Sequence, residues 1–135
     1  MTEPGVIRDE TGAQRLIGYV NDVSDPSHAR CWLEADERHL NRIGVIHGGI
    51  IATLLDNVSG ITASLTVDPS GRKPFVTLAI TTNYLAPGRA GRVEPRGRVT
   101  GGSRKSIFVD AELKHADGTL IATSSGVFKQ APGQD

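Results

Sequence analysis

The stretch HGGIIATLLDNVSGITASLT, His47 to Thr66, decides how the rest of the chain is read. Apolar residues recur at Ile51, Leu54, Leu55, Val58, Ile61 and Leu65, the i, i+3, i+4, i+7 spacing of a helix that buries one stripe. At about 100° per residue, Asp56 points roughly 140° away from Ile51 and shares its side with Gly49, Ala52, Gly60 and Ala63. The face opposite the core is therefore lined by small residues around one acid, where another backbone or a ligand can come close. Gly48 and Gly49 in the first turn each sacrifice about 1 kcal/mol of helix propensity relative to Ala. They leave the N-terminus bare, and first-turn N–H groups at the positive end of the macrodipole suit an oxyanion. His47 forms no dyad with Asp56, because the interval between them is roughly 900° of helix, half a turn out of phase. At the angle of the buried stripe, His47 is expected to play a structural part, its imidazole bonded to nearby backbone.

Outward from the helix, composition limits what the chain can be. Its 135 residues, 38% apolar and 4% aromatic, suit one domain whose core is filled by Val, Ile, Leu and Ala. Lys plus Arg equals Asp plus Glu at 15 each, so no global field draws the protein to nucleic acid or an anionic membrane. The single Cys31 allows no intrachain disulfide and no CxxC zinc pair. The charged start MTEPGVIRDE lacks the apolar core of a signal peptide, and no run approaches the ~18 apolar residues that span a bilayer. A cytoplasmic location is expected.

Residues 1–14, polar and without period, are expected as a loose, flexible arm, residues 15–130 as a single domain, and residues 131–135 as a frayed tail. Leu16 to Val20 reads as a short helix or strand. His28 to Glu37 alternates, with Ala29, Cys31, Leu33 and Ala35 on one side, and is expected as the first strand. After the helix, DPSGRKP breaks the chain. Strands are then expected at 75–84, 92–100, 106–115 and 120–128, paired as an antiparallel meander, with Pro95 at a strand start or an edge. Strand, long helix, four strands is an α+β order in which a sheet wraps one helix.

NRIGVIHGGIIATLLDNVSG followed by TLAITTNYLAPGRAG resembles the hotdog-fold acyl-CoA thioesterases of the phenylacetate-degradation (PaaI) type, over roughly residues 15 to 129. The matching positions are His47, Gly48, Gly49, Asp56, Asn83, Tyr84, Pro87 and Gly88. A sibling branch carries Glu where this chain has Asp56, which favours the PaaI side. The resemblance implies hydrolysis of an acyl-CoA to the free acid and coenzyme A. It implies the Gly48 N–H as oxyanion donor, Asp56 as general base or nucleophile, and two further polar groups, Asn41 and Thr77, beside the thioester or the attacking water. His47, Gly49 and Asn83 are expected around the substrate. No metal or redox cofactor is implied.

The segment from Arg89 to Lys105 holds Arg89, Arg92, Arg96, Arg98, Arg104 and Lys105 against Glu94 alone. Guanidinium groups grip phosphate bidentately, and coenzyme A presents a 3′-phosphate and a pyrophosphate. By the resemblance, the turn GGSRKS makes Arg104, Lys105 and Ser106 the expected phosphate contacts. Two rival readings are a hotdog enoyl-CoA hydratase or dehydratase, which pairs a His with an acid, and an acyl-CoA-binding module without turnover. The sequence leaves the acyl group open between aryl and medium or long aliphatic chains. An uncovered edge strand and the small-residue helix face predict a homodimer, or a homotetramer of two such dimers. By the resemblance, each site is shared, with oxyanion donors from one chain and the acid from its mate.

Overall fold

A long helix, α2 (Gly48–Leu65 in the chain), packs into the concave face of a seven-stranded antiparallel sheet. The structure is a computed structural model and describes residues 3–133. The other elements are β1 (Val6–Ile7), α1 (Gly12–Ile17), β2 (Val20–Asp22), β3 (Arg30–Ala35), β4 (Phe75–Tyr84), β5 (Gly91–Gly102), β6 (Ser106–His115) and β7 (Leu120–Gln130). Every strand pair is antiparallel, and the order across the sheet is β1-β2-β3-β5-β6-β7-β4. This is the expected α+β layout of a sheet around one helix.

The helix forms where its apolar spacing predicts. Ile51, Leu54, Leu55 and Val58 are buried against Leu33, Val93, Leu113 and Ile121 of the sheet, and such side chains each gain about 1.5–3 kcal/mol from burial. The stripe does not run on through Ile61 and Leu65 as the spacing implied. Burial drifts instead to Ser59, Ala63 and Ser64, and Ala63 joins a second cluster with Ile107, Val109 and Phe128. A twisted sheet under a straight helix moves the contact line around the helix from one turn to the next. Ala63 therefore leaves the small-residue face, which is reduced to Gly49, Ala52, Asp56 and Gly60, all of them exposed or half-buried.

β3 keeps the predicted alternation, with Cys31, Leu33 and Ala35 buried. The strands after the helix lie within two residues of the expected bounds, but their pairing is not a simple meander. β5, β6 and β7 are consecutive neighbours, whereas β4 pairs with β7 at the far edge and β5 with β3. The connection 85–90 is no hairpin turn. It crosses the ends of β7 and β6, with the Leu85 and Ala86 N–H groups on the Ile121 carbonyl and the Arg89 N–H on His115 Nε2. Alternation reports which face a residue takes and is silent on which strand lies beside it.

Pro95 takes the edge position expected of it, on a stretch of β5 paired on one side only. It lies inside β5, opposite Leu113 of β6, and is among the most deeply buried residues. The ladder from β5 to β3 ends at Leu33 and Val93, so beyond that point one side of β5 has no partner strand to miss a donor.

The described part of the expected loose arm carries ordered structure. Val6 and Ile7 pair with Asp22 and Asn21. Gln14, 2% exposed, donates its amide to the carbonyls of Ile7 and Tyr19. Its Oε1 accepts the Glu10 N–H at 3.1 Å, and a buried amide satisfied on three sides fixes the segment where hydrophobic period gives no signal. Met1 and Thr2 of the arm, and Gln134 and Asp135 of the tail, lie outside the described residues. At the start of that tail, the Ala131 N–H bonds the Pro74 carbonyl. Among the described residues no helix is long and apolar enough to cross a membrane.

Candidate active site

The loop before α2 holds Asn41 and leads into Gly48. Asn41 accepts from the backbone N–H groups of Ile43 (3.1 Å) and Val45 (3.2 Å), and its own N–H donates to the Val45 carbonyl at 2.8 Å. Leu40 and Ile46 pair as an isolated bridge, and Gly44 takes a φ of 84° that a side chain would resist. Asn41 thus caps its own turn through Oδ1, and its Nδ2 donor remains available. The Ile46 N–H bonds the Gly88 carbonyl, which anchors the Pro87-Gly88 turn against the start of the helix.

At the helix start, the four orphan N–H groups are disposed unequally. That of His47 donates to the His39 carbonyl, that of Ile50 shares the His47 carbonyl with the first intrahelical donor, Ile51, and that of Gly49 donates to His47 Nδ1 at 2.9 Å. The Gly48 N–H has no partner among the described residues. His47 is the N-cap and is exposed, so its side chain does not follow the buried stripe. Helical angles do not govern a cap residue, but the expected backbone bond is present. Gly48 opens onto a cleft of about 390 Å³ bounded by Ile46, Ile51, Tyr84, Leu85 and Pro87.

Asp56 lies eight residues further along α2, roughly 12 Å up the axis. The Thr77 hydroxyl, reaching from β4, donates to its Oδ1 at 2.5 Å. Asp56 is half-buried and borders a second cleft, of about 310 Å³, with Thr77, Tyr19, Asn21, Asn57 and Ser64. Burial pushes the Tyr19 hydroxyl above its ordinary value. Asn57 donates to Asn21 Oδ1 (2.7 Å) and Cys31 Sγ (3.4 Å), and burial pushes the Cys31 thiol up to about 12. Cys31 is therefore a neutral core thiol.

The two clefts share no lining residue. One chain brings Thr77 onto Asp56 and sets Asn41 in the loop that leads to Gly48, but it does not bring Asp56 to Gly48. Asn83 alternates with Tyr84, whose hydroxyl reaches the helix, and so points to the opposite face of the sheet, away from Gly48. Arg104 and Lys105 are exposed in the turn joining β5 to β6, beyond the C-terminal end of α2, and Ser106 opens β6.

The basic run loses its surplus in three dimensions. Arg92 pairs with Glu34 and Glu94, Arg98 with Asp110, and Arg89 with Asp117, while Arg96 contacts His28. Arg104 and Lys105 have no ion-pair partner among the described residues. Sequence reading did not assign a role to Tyr84, which donates to the Gly48 carbonyl at 2.8 Å. The period-2 count back along β4 puts Thr82 and Tyr84 on the helix side and was the available signal.

A sequence profile described as the thioesterase superfamily matches residues 43–122. The chain is 30% identical to human acyl-coenzyme A thioesterase 13, over 90% of this chain and 76% of that protein. A Streptococcus mutans protein solved bound to acetyl CoA superposes with a TM-score of 0.65 at 27% identity, covering 78% of this chain and 82% of that one. The Escherichia coli PaaI protein from the phenylacetic acid degradation operon superposes at 0.77, with 93% and 88% covered, and at 20% identity shows the shared fold.

Proposed function

Because this chain belongs to the thioesterase superfamily, we propose that it hydrolyses an acyl-CoA thioester, its acyl group aryl or medium to long aliphatic, to the free acid and coenzyme A. The observation that carries this reading is the unpaired Gly48 N–H at the start of the same helix that carries Asp56. A thioester carbonyl seated on that N–H, with Asn41 Nδ2 beside it, meets donors already in place as charge grows on oxygen, an effect worth several kcal/mol. Asp56 then takes a proton from water as it attacks, or attacks the carbonyl carbon itself and is freed by water in a second step. In either route the C–S bond breaks, coenzyme A leaves as the thiolate, and it becomes the thiol by taking up a proton released from the consumed water. The relative bound to acetyl CoA supports coenzyme A as the carrier.

Gly48 and Asp56 open onto separate clefts within one chain. A two-fold homodimer joined along β4 would set the Gly48 side of one chain against the Asp56 side of its mate. β4 favours such a contact: it is an edge strand of ten residues whose Val76, Leu78 and Tyr84 are each 44–55% exposed. The hydratase reading asks for a His paired with an acid, whereas His47 is bonded to Gly49 and Asp56 to Thr77.

The test is thiol release over a panel of aryl and aliphatic acyl-CoAs, with Asp56→Asn as the control. Turnover by the wild type, reduced about 10²- to 10⁴-fold in the variant, is expected. Flat rates across the panel would remove the enzyme reading and leave the binding module, and hydration of crotonyl-CoA without thiol release would favour the hydratase.

A further inference from the structure

We propose that Tyr84 is a positioning residue for the oxyanion donor, acting by clamping the Gly48–Gly49 peptide; this rests on the thioesterase reading above. The need for a clamp follows from the sequence. With glycine on both sides of one peptide unit, no Cβ limits its rotation, and at a helix start its N–H side has no intrahelical partner. An oxyanion donor whose neighbouring peptide swings would meet the developing charge only part of the time, whereas preorganisation is what makes such donors effective.

The structure holds this peptide at both edges. Its N–H, that of Gly49, donates to His47 Nδ1 at 2.9 Å, and its carbonyl, that of Gly48, accepts the Tyr84 hydroxyl at 2.8 Å. The peptide before it is held too, since the His47 carbonyl accepts from Ile50 and Ile51. With both units fixed, the Gly48 N–H is held at the cleft that Gly48 lines. The Tyr84 ring lies beside the glycine as well: a Cβ at Gly48 would meet Tyr84 Cε1 at 3.5 Å and Cζ at 3.6 Å. Tyr84 reaches the helix from a fixed base, paired with Ala122 of β7 and followed by the Leu85 N–H bond to Ile121. The Tyr84 hydroxyl, the only polar atom of its side chain, is committed to that carbonyl.

Tyr84→Phe keeps the ring and removes the bond. With a saturating acyl-CoA, kcat is expected to fall about three- to tenfold with KM unchanged, the signature of an interaction realised in the transition state. In carbon-13 and nitrogen-15 labelled protein, the Gly48 carbonyl resonance should shift and the Gly49 amide should exchange faster, with amides further along α2 unchanged. A raised KM at constant kcat would overturn the proposal by making Tyr84 a substrate contact. Unchanged Gly48 and Gly49 resonances and exchange would overturn it whatever the kinetics. Were the wild type to turn over no acyl-CoA, the thioesterase reading would fail, and the resonances would still decide whether Tyr84 holds the peptide.

Discussion

Thr77 Oγ1 stands 2.5 Å from Asp56 Oδ1, so one hydroxyl on the edge strand β4 fixes one oxygen of the helix carboxylate that borders the cleft. A hydrogen bond to a charged group contributes about 1.5–3 kcal/mol, and its loss frees the carboxylate to turn away from the reacting atom. Thr77→Val is isosteric and is expected to lower kcat about tenfold or more, whereas Thr77→Ser retains most of it. Equal rates in the wild type and the Val variant, measured by thiol release, would detach Thr77 from the chemistry.

Gly48→Pro deletes the proposed donor at the first helical position, where Pro is well tolerated. A Cβ there finds only ordinary contact with the Tyr84 ring, so the helix should still form. The expected result is a fall in kcat of about 10²-fold or more with ligand affinity retained, while Gly48→Ala, which keeps the N–H, stays active. If Gly48→Pro lowers affinity alone, the oxyanion role is wrong. Circular dichroism on both variants checks the fold.

Gly97 lies where β5 passes close to α2. A Cβ there would lie 2.7 Å from Thr62 Oγ1, 3.3 Å from Thr62 Cβ and 3.4 Å from Val109 Cγ1. The Thr62 hydroxyl is tied to the Val58 carbonyl at 2.7 Å, and its β-branched side chain turns poorly in a helix. Gly97→Ala should therefore cost about 1–3 kcal/mol of stability by overpacking, seen as a lower urea midpoint at unchanged slope. Adding Thr62→Ala should recover most of the loss, and simple additivity of the two would contradict the contact.

The helix and strand bounds were legible because hydrophobic period writes them residue by residue. Asp56 and Gly48 stood out because an acid on a small-residue face and paired glycines in a first turn both break the local rule. What the sequence did not write is lateral order. Nothing in 75–84 says that β4 lies beside β7, and so nothing places Tyr84 over Gly48. The basic run looked unbalanced for the same reason, since Glu34, Asp110 and Asp117 meet Arg92, Arg98 and Arg89 only through strand register and loop placement. Gln14 escaped notice because a buried amide satisfied by backbone carbonyls has no periodic signature.

Arg104 and Lys105 are left as cations without an ion partner among the described residues, on a turn where Gly102 holds a φ of 110°. If they grip the phosphates of coenzyme A, Arg104→Ala with Lys105→Ala should raise KM for an acyl-CoA about five- to thirtyfold, each exposed charge–phosphate contact being worth about 0.5–1 kcal/mol. A pantetheine thioester lacking the nucleotide should be hydrolysed as before. Equal losses on both substrates would give the turn a structural role.

The shared site makes a prediction that no single-chain site can match. Asn41→Ala removes a donor beside Gly48, and Asp56→Ala removes the carboxylate; each homodimer should be nearly inactive. Unfolded together in equal amounts and refolded, the chains pair at random, so about half of the dimers are mixed. In a mixed dimer one site combines both lesions, and the other joins an intact Asn41 and Gly48 from one chain to an intact Asp56 from its mate. One working site in half of the dimers gives about a quarter of wild-type activity. Had both groups served the site of their own chain, every site in the mixture would carry a lesion and nothing would return. Mass spectrometry of the refolded mixture establishes that mixed dimers formed, so absence of recovery in their presence discards the shared site and returns Asp56 and Gly48 to separate roles.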